Sequence, residues 1–137
     1  MLRTFLLLPL LASASIAVAQ SLPAGPLPES QRSAIGYPSV RAALDALHAK
    51  PGVTVSVRGG WTVVNDPEAN AIWSFTPVDD PAHPAVAKRT VVQKEGSVSL
   101  EMNVHCEAGK AECDNFVRQF QDLNEQMRRS MQRGKGG

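Results

Sequence analysis

The sequence predicts an α+β domain of two layers, in which a five-stranded antiparallel sheet carries an N-terminal and a long C-terminal helix on one face. Three observations predict it. Two stretches with helical apolar spacing, Val40 to Leu47 and Cys113 to Met131, bracket the middle of the chain. Between them lie five strand-like runs separated by turn residues, and strands adjacent in sequence usually pair. The last run ends on Cys106 and the second helical stretch opens on Cys113, so a bridge between them would fix the helix entry over the buried face of the sheet.

The chain opens on Met1-Leu2-Arg3, an apolar run from Phe5 to Leu11, and small residues ending Ala17-Val18-Ala19 before Gln20. One positive charge, a short apolar stretch and an Ala-x-Ala site predict a secretory signal peptide over 1–19, cleaved after Ala19. The run contains Pro9 and is too short to span a bilayer, so no stable membrane insertion is expected and the mature protein should be soluble, periplasmic or secreted. Residues 20–36 carry Pro23, Pro26 and Pro28 with no apolar period and read as a flexible tether.

A single domain is expected over 37–131. Val40, Ala43, Leu44 and Leu47 form a short amphipathic helix, with Pro38 or Ser39 at its start and Pro51-Gly52 as its stop. Val53, Val55 and Val57 alternate with polar residues, and Gly59-Gly60 joins them to Trp61-Thr62-Val63-Val64 as a two-residue hairpin. Asp66 to Asn70 is turn chemistry before the run Ala71 to Thr76. Pairing Asn65 with Ala71 would set Val63 opposite Trp73 and Trp61 opposite Phe75, gathering three aromatics on one face.

The fourth run, Ala85 to Gln93, and the fifth, Ser97 to Cys106, flank Lys94-Glu95-Gly96. In the fifth, Val98, Leu100, Met102, Val104 and Cys106 alternate with polar residues, so one face is buried and one wet. A two-residue turn at Glu95-Gly96 would place Arg89 opposite Met102 on the buried face. A three-residue turn pairs Val92 with Val98 and Arg89 with Glu101, and is preferred because the charge stays outside. The final helix, about Glu112 to Met131, aligns Phe116, Val117, Phe120, Leu123 and Met127 on one stripe, and 132–137 form a basic, glycine-ended tail that should fray.

Lys and Arg number 14 against 13 Asp and Glu, a balance that argues against a nucleic-acid partner. Arg128, Arg129, Arg133 and Lys135 could touch an anionic surface, but cations near a helix C-terminus are also favourable against the macrodipole, and that reading is preferred. Six residues separate Cys106 from Cys113, which in an exported chain is most simply a structural disulfide. The spacing is not that of a Cys-x-x-Cys redox pair, and zinc would need further ligands that only His105 and carboxylates supply nearby. No metal or cofactor is expected.

Pro77-Val78-Asp79-Asp80-Pro81-Ala82-His83-Pro84 places three prolines in eight residues. Such a loop is stiff, which lowers the entropy cost of presenting Asp79, Asp80 and His83 to a partner; the competing reading is a solvated crossover. The polar face of the fifth strand, Ser99, Glu101, Asn103 and His105, is a second candidate surface. His48 lies on the first helix with no neighbour at ligand spacing. No Gly-x-Ser-x-Gly, His-Glu-x-x-His or phosphate-binding glycine loop occurs.

Trp73-Ser74-Phe75-Thr76-Pro77, His83-Pro84-Ala85 and Lys88-Arg89-Thr90-Val91-Val92 resemble small exported proteobacterial proteins of uncharacterised function, over Tyr37 to Met131. The resemblance implies an envelope location and no particular chemistry. Some such proteins carry a J-domain chaperone label, but a J domain needs His-Pro-Asp between two helices, whereas Ala85 follows His83-Pro84 among strand patterns.

The functional expectation is an exported binding module that presents the Pro77–Pro84 loop and the polar face of the fifth strand to an envelope protein or small ligand. A small hydrolase-like envelope enzyme using His83 with Asp79 or Asp80 is the alternative, and requires a hydrogen bond between them at a pocket mouth. A chaperone-like or inhibitory protein would instead need Trp61, Trp73 and Phe75 facing solvent as a groove.

Overall fold

The structure is a computed structural model and describes residues 34–134. The expected signal peptide, residues 20–33 of the tether and the last residues of the tail lie outside the described residues. The order of elements is helix α1 (Val40–Ala49), strands β1 (Thr54–Arg58), β2 (Trp61–Asp66), β3 (Ala71–Phe75), β4 (Ala85–Lys94) and β5 (Ser97–Cys106), and helix α2 (Lys110–Gly134). All five strands form one antiparallel meander in the order β1-β2-β3-β4-β5. The α+β class and the five-stranded sheet are therefore as the sequence predicts.

Local chemistry sets the ends of α1. Ser39 caps it, its Oγ accepting from the Ala42 N–H at 3.0 Å. Val40, Ala43 and Leu47 form the buried stripe. Ile35 is only 2% exposed and packs in the same cluster, so the domain core begins two residues before the expected start at Tyr37.

The two helices do not share a sheet face, and this corrects the predicted layering. Val64, Trp73, Phe75 and Val86 pack with α1, whereas Trp61, Ala85, Ala87, Met102, Val104 and Cys106 pack with Phe116 and Phe120 of α2. Side chains alternate along a strand, so Val86 and its neighbours Ala85 and Ala87 point to opposite sides. The sheet is the middle of three layers. Residues such as Ala85-Val86-Ala87, all 0% exposed, are the signature of a strand buried on both faces.

Two register shifts of one residue underlie the difference. Asp66, not Asn65, pairs with Ala71, so Val64 faces Trp73 and Thr62 faces Phe75. The turn shortens to Pro67–Asn70, with Asn70 at a φ of 49° and Asp66 Oδ1 accepting the Ala69 N–H. Asp66 is drawn inside by Lys50, whose Nζ lies 2.9 and 2.8 Å from its two carboxylate oxygens. Trp61 consequently stacks on Phe116 at 6.1 Å between ring centroids on one side, while Trp73 stacks on Phe75 at 6.4 Å on the other. The single aromatic cluster becomes two, one under each helix.

In the β4–β5 hairpin the turn has two residues, with Lys94 paired to Ser97 and Arg89 to Met102. Glu95 and Gly96 have φ values of 52° and 77°, the double left-handed turn whose twist suits a hairpin. The preferred three-residue turn is thus corrected, and Arg89 lies on the α2 side. The predicted bridge is present: Cys106 and Cys113 are joined, with 5.7 Å between their Cα atoms, and tie the exit of β5 to the first turns of α2.

Candidate functional site

The predicted loop is held by its own backbone. Asp80 N–H bonds to Pro77 O at 3.1 Å and His83 N–H to Asp80 O at 2.9 Å, while Asp80 Oδ1 accepts the Ala82 N–H at 2.8 Å. Buried Thr76 anchors the return, its Oγ1 accepting from Ala85 N at 3.0 Å and donating to Ala85 O at 3.2 Å. His83 Nδ1 sits 3.1 Å from Thr76 Oγ1 and 3.2 Å from Thr76 O. A carbonyl only accepts, so Nδ1 carries the ring proton and is spent on the loop's closure. Among the described residues no hydrogen bond links His83 to the carboxylate of Asp79 or Asp80. The geometry required by the hydrolase reading is missing.

Glu101, Asn103 and His105 lie on the α1 side of β5, by alternation from Met102 and Val104 on the other side. His105 Nε2 is 3.3 Å from Glu107 Oε1, and that same oxygen accepts the Val40 N–H at 2.9 Å. His105 is thereby tied to the capping of α1. Among the described residues, no hydrogen bond or ion pair joins these three to Asp79, Asp80 or His83, and no group of three His, Cys, Asp or Glu side chains is placed to hold a metal ion. Trp73 and Phe75 are 2% and 3% exposed, so the aromatic groove of the chaperone-like reading does not form.

A different site emerges under α2. Strands β4 and β5 are ten residues each against five in β1 and β3, so their hairpin extends past the rest of the sheet as a two-stranded ribbon. Such ribbons twist more than wide sheets, so a 25-residue helix laid over one diverges from it along its length. Phe116 and Phe120 in the first half of α2 are buried, but Leu123, Met127 and Met131 in the second half stay exposed. Between that second half and the ribbon lies an apolar trough of about 660 Å³, walled by Val91, Leu100 and Met102 on the sheet and Met127 and Met131 on the helix.

A second hollow of about 330 Å³, which shares no lining residue with the trough, lies between Trp61, Val63, Phe120 and Leu123, with Arg58 and Arg89 on its border. Arg89 belongs to this second hollow. Its guanidinium lies over the Phe120 ring at 5.6 Å, its terminal nitrogen is 3.5 Å from Met127 Sδ, and its Nε is buried with no hydrogen-bond partner. Burial pushes the guanidinium below its ordinary pKa. The cations further along α2 are already engaged: Arg128 and Arg129 both bond to Glu125, whose carboxyl they pull down to about 2. Asn124 supplies another orphan at the trough, its Oδ1 buried and unpartnered while its Nδ2 meets Met102 Sδ at 3.3 Å.

Sequence reasoning missed this site because it placed Arg89 outside. One signal was available, since the apolar stripe of α2 continues through Leu123, Met127 and Met131, well past Phe116 and Phe120. No family model, curated protein or solved structure matches the chain.

Proposed function

We propose that this protein is an exported binding module that takes a small ligand with an apolar body in the trough between α2 and the β4–β5 ribbon. The observation that carries the reading is the trough itself, about 660 Å³ and mainly apolar, roofed by a helix and floored by a sheet. Its size falls within the roughly 300–1,000 Å³ of small-molecule sites. Val98 at 65% and Met131 at 58% exposure leave apolar surface in water that a ligand would cover. Methionines suit such a wall, because an unbranched thioether adapts to the shape it meets.

Export is supported by the sequence pattern at 1–19 and by a disulfide of the kind that persists in oxidising compartments. None of the described helices is long and apolar enough to cross a membrane.

Titration with Nile red, a neutral apolar dye, tests the reading. Saturable uptake near one dye per chain is expected, with loss of uptake in Leu100→Trp, whose indole fills the floor of the trough. Uptake that is unchanged in this variant, or absent from the wild type, would sink it.

A further inference from the structure

The smaller hollow, of about 330 Å³, differs from the trough in its charge. Arg58 and Arg89 border it, and none of its lining residues is acidic. Arg89 stands on β4 beneath a helix, where a cation is unfavourable unless it is paired. Its contacts are the ring of Phe120 and the sulfur of Met127, both weak partners for a guanidinium, and Nε lacks even those. Arg58 ends β1, three strands away, and among the described residues its guanidinium makes no ion pair or hydrogen bond. The floor adds an unpartnered hydroxyl. Ser74 pairs with Ala87, which packs against α2, so both side chains point into the same space. Ser74 is 6% exposed and lines the hollow, yet its hydroxyl makes no hydrogen bond among the described residues. Buried hydroxyls are ordinarily paired.

Going beyond the trough, we propose that this hollow is a second and separate site, which takes a compact aromatic acid: the ring lies against Trp61 and Phe120, and the acid group accepts hydrogen bonds from Arg89 and from the Ser74 hydroxyl. The charge of the lining selects an anion, because a neutral ligand would leave both guanidiniums unpaired and a cation would be repelled by both. Its volume selects a compact one, being at the lower end of the roughly 300–1,000 Å³ of small-molecule sites. A guanidinium presents a fork of donors that matches a carboxylate or a phosphate. Arg58, exposed and on the far side of the hollow, adds a positive field that draws an anion in without touching it.

NMR titration of the purified protein with four ligands sharing one phenyl ring tests the proposal: phenylacetate, phenyl phosphate, phenylacetamide and phenethylammonium. The expected result is that one or both anions bind about ten-fold or more tighter than the amide, as a charge-assisted hydrogen bond warrants, and shift the Trp61 indole and Ser74 amide signals. The tighter of the two identifies the acid group as carboxylate or phosphate. In Arg89→Met the anions should fall to the affinity of the amide. Arg58→Gln, at an exposed position, should weaken them by about two- to five-fold, as a solvated charge warrants. In the wild type, saturating anion should leave Nile red bound in the trough, since the two spaces share no lining residue. Acids that bind no tighter than the amide, anion affinity that survives in Arg89→Met, or a preference for the ammonium overturns the proposal. Displacement of Nile red places the anion in the trough and overturns the separate site. Anion binding without any Nile red uptake removes the trough reading and leaves this one standing, whereas Nile red uptake with none of the four ligands bound does the reverse.

Discussion

Glu107, at the exit of β5, accepts a hydrogen bond at 2.9 Å from the backbone N–H of Val40, the first residue of α1, across 67 residues of sequence. The first N–H groups of a helix have no partner within it, and a carboxylate there satisfies one of them while opposing the positive end of the macrodipole. One side chain therefore ties together the two outer layers, since the same loop leads from β5 into α2. Glu107→Ala should destabilise the domain by about 1 kcal/mol, and Glu107→Gln by less, because an amide oxygen still accepts. Urea midpoints check this; equal midpoints for wild type and Glu107→Ala would show that the bond contributes nothing.

Lys50 and Asp66 make stability depend on acid. Burial pushes the Asp66 carboxyl up, but hydrogen bonds from Lys50 and from the Ala69 N–H, with the charges of Lys50 and Lys88, outweigh it and hold the group below its ordinary value. A carboxyl lowered in the folded state contributes stability that is present above its unfolded pKa of about 4 and is lost as pH falls through the folded value. Lys50 is shifted upward, first by its hydrogen bond to Asp66, so its contribution persists through neutral pH and disappears only as pH rises through a value above 10.5. Melting temperatures measured from pH 7 downward should fall below about pH 4. In Asp66→Asn the plateau should be lower and the acid limb shallower; an acid limb of unchanged slope would assign the dependence to other groups.

What was legible in the sequence is what neighbouring residues decide among themselves. Ser39 capping α1, Gly59-Gly60 turning the first hairpin and the Cys106–Cys113 bridge each depend on a few adjacent positions, and each is found; the expected buried face of β5 is not, since Val98 is 65% exposed and no residue of that strand is fully buried. The faces were not legible, because a shift of one residue in pairing reverses every side chain of a strand. Asp66 joining β2 and Glu95 entering a left-handed turn are two such shifts, and both run against local preference. A buried carboxylate and a non-glycine residue at positive φ look unfavourable until Lys50 and the twist of the hairpin are in view. The site followed the faces: Arg89 could not be placed beneath α2 while its strand was in the other register.

The strain at Glu95 is itself a handle. Asn tolerates the left-handed region better than Glu, and Asn-Gly is the favoured pair for this turn. Glu95→Asn should therefore stabilise the domain by about 0.5 kcal/mol, read as a higher urea midpoint. A three-residue turn would need only Gly96 in that region, so a neutral or destabilising outcome would argue against the two-residue turn and the placement of Arg89 that follows from it.

A half-buried arginine with no carboxylate partner weakens a fold, and Arg89 is where this is measurable. Arg89→Met retains the stem that packs beside Phe120 and removes the orphan Nε and a charge that burial disfavours. Replacement of an uncompensated polar group by an apolar one of similar length is neutral to stabilising, by up to about 1–2 kcal/mol. The variant should thus unfold at a higher urea concentration than the wild type. If Arg89→Met instead lowers the midpoint by more than about 1 kcal/mol, the contacts with Phe120 and Met127 are structural, and the arginine belongs to the packing of α2.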